Sequence, residues 1–168
     1  MRSRRTSMRP NQYGMLQSTL VAMTLLAVPA VGQAQTIVKY NAIVAKPGPA
    51  ATFTGRVTVR RLTSATPPGQ AGTALVTFAP GARSNWHTHP AGQTLHVMRG
   101  CGWTQEWGGP VALICRGDTV YVKPGVRHWH GSTTTTGMSH LAISETLDGK
   151  NVNWLEPVTD TQFKGPRR

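Results

Sequence analysis

The sequence GARSNWHTHPAGQTLHVMRG, residues 81–100, places three of the six histidines of the chain within ten positions. His87 and His89 are two positions apart, so on a strand both imidazoles project from the same face. Gln93 follows after a short bend at Pro90, Ala91 and Gly92. The stretch therefore predicts a strand face that carries three metal-donor side chains.

The other histidines follow in the next strands. His128 and His130 are again two positions apart in GDTVYVKPGVRHWHG, residues 117–131, and His140 lies in MSHLAIS. His130 and His140 are candidates for a functional role, the alternative being core histidines satisfied by hydrogen bonds. His96 lies an odd number of positions after Gln93, which predicts an outward or edge position and a structural role.

The chain as a whole has the pattern of a small all-β domain. Segments with two-residue periodicity are separated by Gly- or Pro-containing turns at intervals of about ten residues, and no helix of useful length is predicted. The polar C-terminal segment contains three large apolar side chains, which we expect to anchor it across the outside: Trp154, Leu155 and Phe163. These patterns predict an antiparallel barrel or sandwich.

Residues 1–34 have the layout of an export signal, with an arginine-rich start and an apolar run that ends in small residues. Cleavage after Ala34 is expected, which leaves residues 35–168 as one domain in the periplasm or outside the cell. The alternative, a membrane anchor, is disfavoured because Pro29 would break a spanning helix. Arg4 and Arg5 resemble the start of a twin-arginine signal.

The charge of the mature domain does not indicate a nucleic-acid partner. Removing the four arginines of the leader, with no acid, lowers the formal net charge from +12 to +8. The remaining cations are scattered, without a basic helix or an aromatic-interleaved RNA motif. We expect a small-molecule substrate, no nucleic acid, no membrane contact after leader removal, and assembly into a homo-oligomer.

Cys101 and Cys115 flank a predicted hairpin turn almost symmetrically. Facing cysteines can form a disulfide in an oxidising compartment. A slip of one residue in register would point the two side chains apart. Two buried, unbridged cysteines are therefore the favoured expectation, and a disulfide is the alternative.

Two stretches resemble the motifs of the cupin family. Residues 81–100 are similar to the first motif, with Gln93 where most members have glutamate. Residues 117–128 are similar to the second motif, with Lys123 where the family usually has proline, and Ser132 stands where a late asparagine is common. The resemblance implies a double-stranded β-helix (jelly-roll) barrel that holds a divalent metal. By position, the implied ligands are His87, His89, Gln93 and His128.

A glutamine at the fourth ligand position predicts a particular chemistry. Neutral Gln93 leaves the full +2 charge on a divalent ion with three neutral imidazoles, so the metal becomes a stronger electron acceptor. Less anionic donation also disfavours the trivalent state. Lewis-acid chemistry is therefore favoured over oxygen chemistry.

The surrounding sequence resembles the cupin hydroxynitrile lyases, manganese-dependent enzymes that split cyanohydrins into an aldehyde or ketone and hydrogen cyanide. The resemblance lies in residues 80–95, 100–103, 127–131 and 140–160. It implies manganese, with iron, zinc or nickel as alternatives, and places His130 and His140 in the active site. One of these two histidines is then the general base that takes the hydroxyl proton.

The sequence is also compatible with two other interpretations. The domain is alternatively a cupin dioxygenase or isomerase, or a decarboxylase or isomerase helper acting on aromatic lactones. From a different class, it is a metal-bearing module that binds or senses a small carbonyl compound or cyanide. A binding module would tolerate replacement of His130 and His140 but not of the four predicted ligands.

Overall fold

The computed structural model describes residues 35–166, and the predicted export segment 1–34 lies outside the described residues. Within residues 35–166 the chain forms twelve strands and one short 3₁₀ turn at Tyr40–Ala42. The strands are β1 Lys46–Pro47, β2 Phe53–Thr54, β3 Val57–Thr63, β4 Ala71–Phe78, β5 Arg83–Ser84, β6 His87–Thr88, β7 Gln93–Glu106, β8 Ala112–Cys115, β9 Thr119–Val122, β10 His128–Ser132, β11 Met138–Glu145 and β12 Asn153–Trp154. None of the helical segments among residues 35–166 has the length and hydropathy of a transmembrane span.

Two antiparallel sheets share the long strand β7. The first sheet has the order β1-β3-β4-β11-β7-β9, and the second has the order β2-β5-β10-β7-β8. Strand β6 extends the second sheet by pairing with both β10 and β12. Because β7 pairs with β11 in one half and with β10 in the other, it joins the two sheets into one curled barrel. The all-β prediction is confirmed.

An irregularity in the middle of β7 lets both of its halves face the interior. His140 pairs with Val97 while the preceding Ser139 pairs with Arg99, so Met98 is the extra residue of a bulge. The buried residues of β7 have odd numbers before the bulge and even numbers after it. At Gly100, where φ is +72°, a Cβ would collide with the carbonyl oxygen of Gly137, so only glycine fits this crossing.

The interior contains an apolar cluster from both sheets. Its fully buried members are Val57, Val76, Phe78, Ala82, Val97, Ile114 and Met138. Phe78 is 1% exposed and lies under the histidine side chains described below, with its ring centroid 5.8 Å from that of His130. Val76 of this cluster also lines the cavity described below.

A second cluster lies between the outer face of the second sheet and the C-terminal segment. It consists of Trp86, Trp129, Val158 and Phe163, and the buried Arg83 guanidinium donates two hydrogen bonds to the carbonyl of Val158. Phe163 is an anchor, as predicted from the sequence. The expectation for the other two anchors was wrong, since Trp154 and Leu155 are each 39% exposed. Trp154 instead belongs to β12, which pairs with β6.

Cys101 and Cys115 form a disulfide, so the expectation of two unbridged cysteines was wrong. The two residues are direct register partners on β7 and β8. The side chains of direct partners in an antiparallel pair project to the same side of the sheet. The one-residue shift in register that would separate the two cysteines does not occur.

Candidate active site and metal centre

Five histidines and Gln93 lie close together in the interior of the barrel. His87 begins β6, His89 follows it, Gln93 begins β7, His128 and His130 lie on β10, and His140 lies on β11. All six side chains are buried. On β10 the alternation of faces directs His128 and His130 inward and Trp129 outward against the C-terminal segment. Pairing of His128 with His87 brings β10 and β6 together at this point.

Three of the histidines share one orienting contact. The Nδ1 atoms of His87 and His128 lie 2.9 Å and 3.0 Å from the carbonyl oxygens of Asn85 and Val126, and Nδ1 of His89 contacts the carbonyl of Asn151. A carbonyl only accepts, so each Nδ1 must carry the proton. Each Nε2 is therefore left with a lone pair, which is the arrangement of metal-binding imidazoles.

The rings of these three histidines are close to one another. The ring centroid of His87 lies 5.2 Å from that of His89 and 4.2 Å from that of His128, and the centroids of His89 and His128 are 5.7 Å apart. His130 is also near, with 5.1 Å between its centroid and that of His87. One donor nitrogen from each of His87, His128 and His130 can be chosen so that all three lie within 4.8 Å of one another.

Gln93 lies between His128 and β11. Its Oε1 is 3.1 Å from Nε2 of His128, and its Nε2 donates to Oγ of Ser144 at 3.2 Å. Since the one proton of neutral His128 is used at Val126, Nε2 of His128 and Oε1 of Gln93 face each other as two acceptors. Two lone pairs at this distance favour a cation beside them.

His130 and His140 form a second unit. Nε2 of His140 is 3.1 Å from Nδ1 of His130, and their ring centroids are 4.7 Å apart. Nε2 of His130 is buried and has no hydrogen-bond partner among the described residues. His130 lines the cavity described below, whereas His140 is fully buried behind it.

Burial keeps these imidazoles neutral. Desolvation lowers the pKa of His89 and of His140 to about 4, and it lowers the pKa of His128. Desolvation, together with the repulsion of neighbouring histidines, holds the pKa of His87 and of His130 well below 6.5. Neutral imidazole is the form that binds metals and accepts protons.

The donor set fits a divalent cation. Nε2 of His89 is buried and has no hydrogen-bond partner within the described part of the chain, which is costly unless a ligand occupies its lone pair. His87 and His128 present the same nitrogen, and Gln93 supplies an oxygen. Three imidazoles and one amide oxygen suit a divalent first-row metal such as manganese, iron, zinc or nickel.

A cavity of about 740 Å³ leads from the histidines to the surface. His87, His89, Gln93 and His130 lie at its inner end. Its walls are largely apolar and include Phe53, Val76 and Trp154. The Trp154 ring lies 4.8 Å from the His87 ring and 5.6 Å from the Phe53 ring, centroid to centroid.

The structure thus brings together all six side chains proposed from the sequence. His96, predicted to be outward, is half-buried on the other face of β7 and bonds Thr119 at 2.9 Å. Sequence reasoning missed Ser144, Asn151, Phe53 and Trp154. Only Trp154 had a signal, as a large aromatic residue in a polar segment, and we interpreted it as a packing anchor.

Comparisons with known proteins agree on the family to which this chain is similar. The sequence profile of the cupin domain family, Cupin_2, matches residues 74–144. A protein of Granulicella tundricola named (R)-mandelonitrile lyase is 56% identical over 117 residues, which cover 70% of this chain and 89% of the relative.

Solved structures show the same fold. A cupin-like protein from Thermotoga maritima superposes with a TM-score of 0.67 at 37% identity, covering 70% of this chain and 89% of that one. A cupin 2 conserved barrel domain protein from Rhodopseudomonas palustris superposes with a TM-score of 0.57 at 16% identity, covering 67% of this chain and 77% of that one. The latter likeness concerns the fold alone.

Proposed function

This chain belongs to the cupin family, and from that premise we propose that it is a metal-dependent carbon–carbon lyase that cleaves and forms cyanohydrins. The identity of 56% with a protein named (R)-mandelonitrile lyase supports the reaction class. The observation that carries the proposal is the pair of His130 and His140 beside the other histidines. It sets a buried imidazole nitrogen, which has no hydrogen-bond partner among residues 35–166, in a largely apolar cavity next to histidines that could hold a cation.

His87, His89, Gln93 and His128 are the proposed ligands, with manganese as the proposed ion. When bound, a divalent ion supplies a Lewis acid that draws negative charge toward itself. The alternative trio of His87, His128 and His130 is less suitable, because Nδ1 of His130 bonds another histidine and not a carbonyl. The tautomer of His130 is therefore not fixed, which suits proton transfer better than permanent ligation.

His130 is the proposed general base, and His140 is the residue that positions it. In the reactive tautomer Nδ1 of His130 donates to Nε2 of His140, so Nε2 of His130 presents its lone pair to the cavity. This nitrogen accepts the proton of the substrate hydroxyl. The electrons of that O–H bond form the C=O double bond, and the electrons of the C–C bond leave with cyanide. The same nitrogen then returns the proton to cyanide, giving hydrogen cyanide.

The low pKa of the pair is consistent with this role. Because burial holds the pKa of His130 well below 6.5, the imidazole is neutral at neutral pH and is available as a base. The proton that it accepts is held weakly, so its transfer to cyanide is favourable. The apolar wall of Phe53 and Trp154 excludes water and suits an aromatic substituent on the cyanohydrin.

Metal analysis combined with a cleavage assay tests the proposal. Protein purified from manganese-supplemented cells should contain about one ion per chain and release benzaldehyde from mandelonitrile. Chelation should abolish the release, and added manganese should restore it. The double variant His87→Ala, His89→Ala should lack both metal and activity. Metal-loaded protein without cleavage of any cyanohydrin would reject the lyase and leave a binding module.

A further inference from the structure

Two cations line the outer part of the cavity. Lys46 on β1 and Arg61 on β3 are exposed residues that contribute to its wall. The described residues that line the cavity include no aspartate or glutamate. The cavity therefore combines an imidazole end with a cationic end.

Strand register places the cationic end opposite the histidines. Across the inner face of the first sheet one row runs from His140 to Val76, Val59 and Lys46, each pairing with the next. A parallel row runs from Ala142 to Ala74 and Arg61. Three strand spacings separate the backbones of His140 and Lys46, roughly 14 Å along the sheet. The side chains between the ends are short, which leaves the space open.

Neither cation has an acidic partner within the described part of the chain. The ion pairs found there join Arg83 to Asp160 and Arg127 to Glu156, both away from the cavity. Residues 35–168 carry 14 basic and only 6 acidic side chains, so their overall charge adds to the local field. Low-dielectric walls concentrate such a field inside a cleft. An anion that enters would meet no acidic side chain among the described residues that line the cavity.

Resting on the proposed function, we propose that the cavity takes aldehydes and cyanohydrins with a carboxylate at the end remote from the reacting carbon. The reacting carbon lies at His130, and Lys46 and Arg61 bind the carboxylate. The cavity volume of about 740 Å³ is in the range that holds drug-sized ligands, so a one-ring cyanohydrin leaves room toward the cationic end. A para carboxylate on the ring extends into that room.

A binding titration with two matched aldehydes tests the proposed carboxylate site without relying on turnover. Calorimetry compares 4-formylbenzoate with benzaldehyde on the metal-loaded wild type. We expect the carboxylate to bind roughly three- to tenfold more tightly, the effect of one or two partly exposed ion pairs, and the advantage to shrink with added salt. The double variant Lys46→Met, Arg61→Met should bind the two aldehydes equally. The single variant Arg61→Lys should keep most of the advantage.

A charge-matched control distinguishes binding of the carboxylate by Lys46 and Arg61 from attraction of the anion by the overall positive charge of the protein. The double variant Arg116→Met, Lys164→Met loses the same charge at exposed positions that do not line the cavity, and it should keep the full advantage. Equal binding of both aldehydes by the wild type would overturn the inference. So would an advantage that survives in Lys46→Met, Arg61→Met, which would place the carboxylate at the metal ligands. Absence of cyanohydrin cleavage, by contrast, would reject only the proposed function.

Discussion

The two ring nitrogens of His130 have different surroundings, and the proposed mechanism depends on this asymmetry. Nδ1 lies 3.1 Å from Nε2 of His140, whereas Nε2 is buried without a partner among the described residues. The cavity is lined by His130 and not by His140. These surroundings support the proposal that His130 is the base, a choice that the sequence left open.

Replacing His130 by alanine should slow mandelonitrile cleavage about 10²- to 10⁴-fold, because a positioned base is lost. His140→Ala should slow it less, since His130 keeps its place in the cavity but loses the acceptor for the hydrogen bond that its Nδ1 donates in the reactive tautomer. Both variants should retain about one metal ion per chain, and His96→Ala serves as the control with normal metal and rate. Metal and rate are measured on the same preparations. Loss of metal in His130→Ala would instead assign His130 to the ligand trio with His87 and His128.

Gln93 tests the electrostatic side of the proposal. Gln93→Glu should keep or tighten metal binding, because carboxylate is the better ligand for a hard divalent ion. It should nevertheless slow cyanohydrin cleavage, because the added negative charge weakens stabilisation of the developing anion. Metal stoichiometry and benzaldehyde release are the two readouts. Full metal content with an undiminished rate would show that the neutral amide does not tune this site.

At the scale of elements, the hairpin of β7 and β8 is closed by the disulfide between Cys101 and Cys115. The sequence separation of 14 residues makes this a short loop, for which the entropy lost by the unfolded chain corresponds to about 3 kcal/mol. A disulfide persists in oxidising compartments, which supports the proposal of export.

The double variant Cys101→Ser, Cys115→Ser should lower the free energy of unfolding by about 2–4 kcal/mol. Denaturant unfolding of the variant and of the wild type measures the difference. Wild type in a reducing agent provides the matched control and should agree with the variant. Unchanged stability in both would mean that the hairpin is held by its strand pairing alone.

For the whole molecule, burial of five histidines in one barrel links stability to pH. Burial lowers their pKa values, to about 4 for His89 and His140, whereas histidines of the unfolded chain titrate near 6.5. As the pH falls below about 6.5, the unfolded chain binds protons that the folded chain does not. The stability contributed by these neutral histidines is present above pH 6.5 and is lost on acidification toward 4.

The free energy of unfolding of chelator-treated protein should therefore be constant near pH 7.5 and fall steeply between pH 6.5 and 5. Chemical denaturation at several pH values measures the slope. In His140→Gln the slope below pH 6 should be smaller by about 1.4 kcal/mol per pH unit, because one proton fewer is bound on unfolding. The same slope in wild type and variant would show that His140 is protonated in the folded state.

The sequence by itself determined the all-β class and which site residues share a strand face. Strand periodicity is local, so His87 and His89, or His128 and His130, must share a face wherever their strands lie. The resemblance of residues 81–100 and 117–128 to the two cupin motifs then implied the barrel fold. The same alternation placed His96 away from the other histidines.

Tertiary structure decided what depends on contacts between distant segments. The bulge at Met98 pairs His140 with Val97, which sets His140 behind His130. Register joins Cys101 to Cys115, and β12 brings Trp154 beside His87. Ser144 and Asn151 contact the site from positions 51 and 62 residues away from Gln93 and His89. Such contacts follow from strand pairing across the whole barrel, because periodicity fixes the face of a side chain but not its neighbour on the next strand.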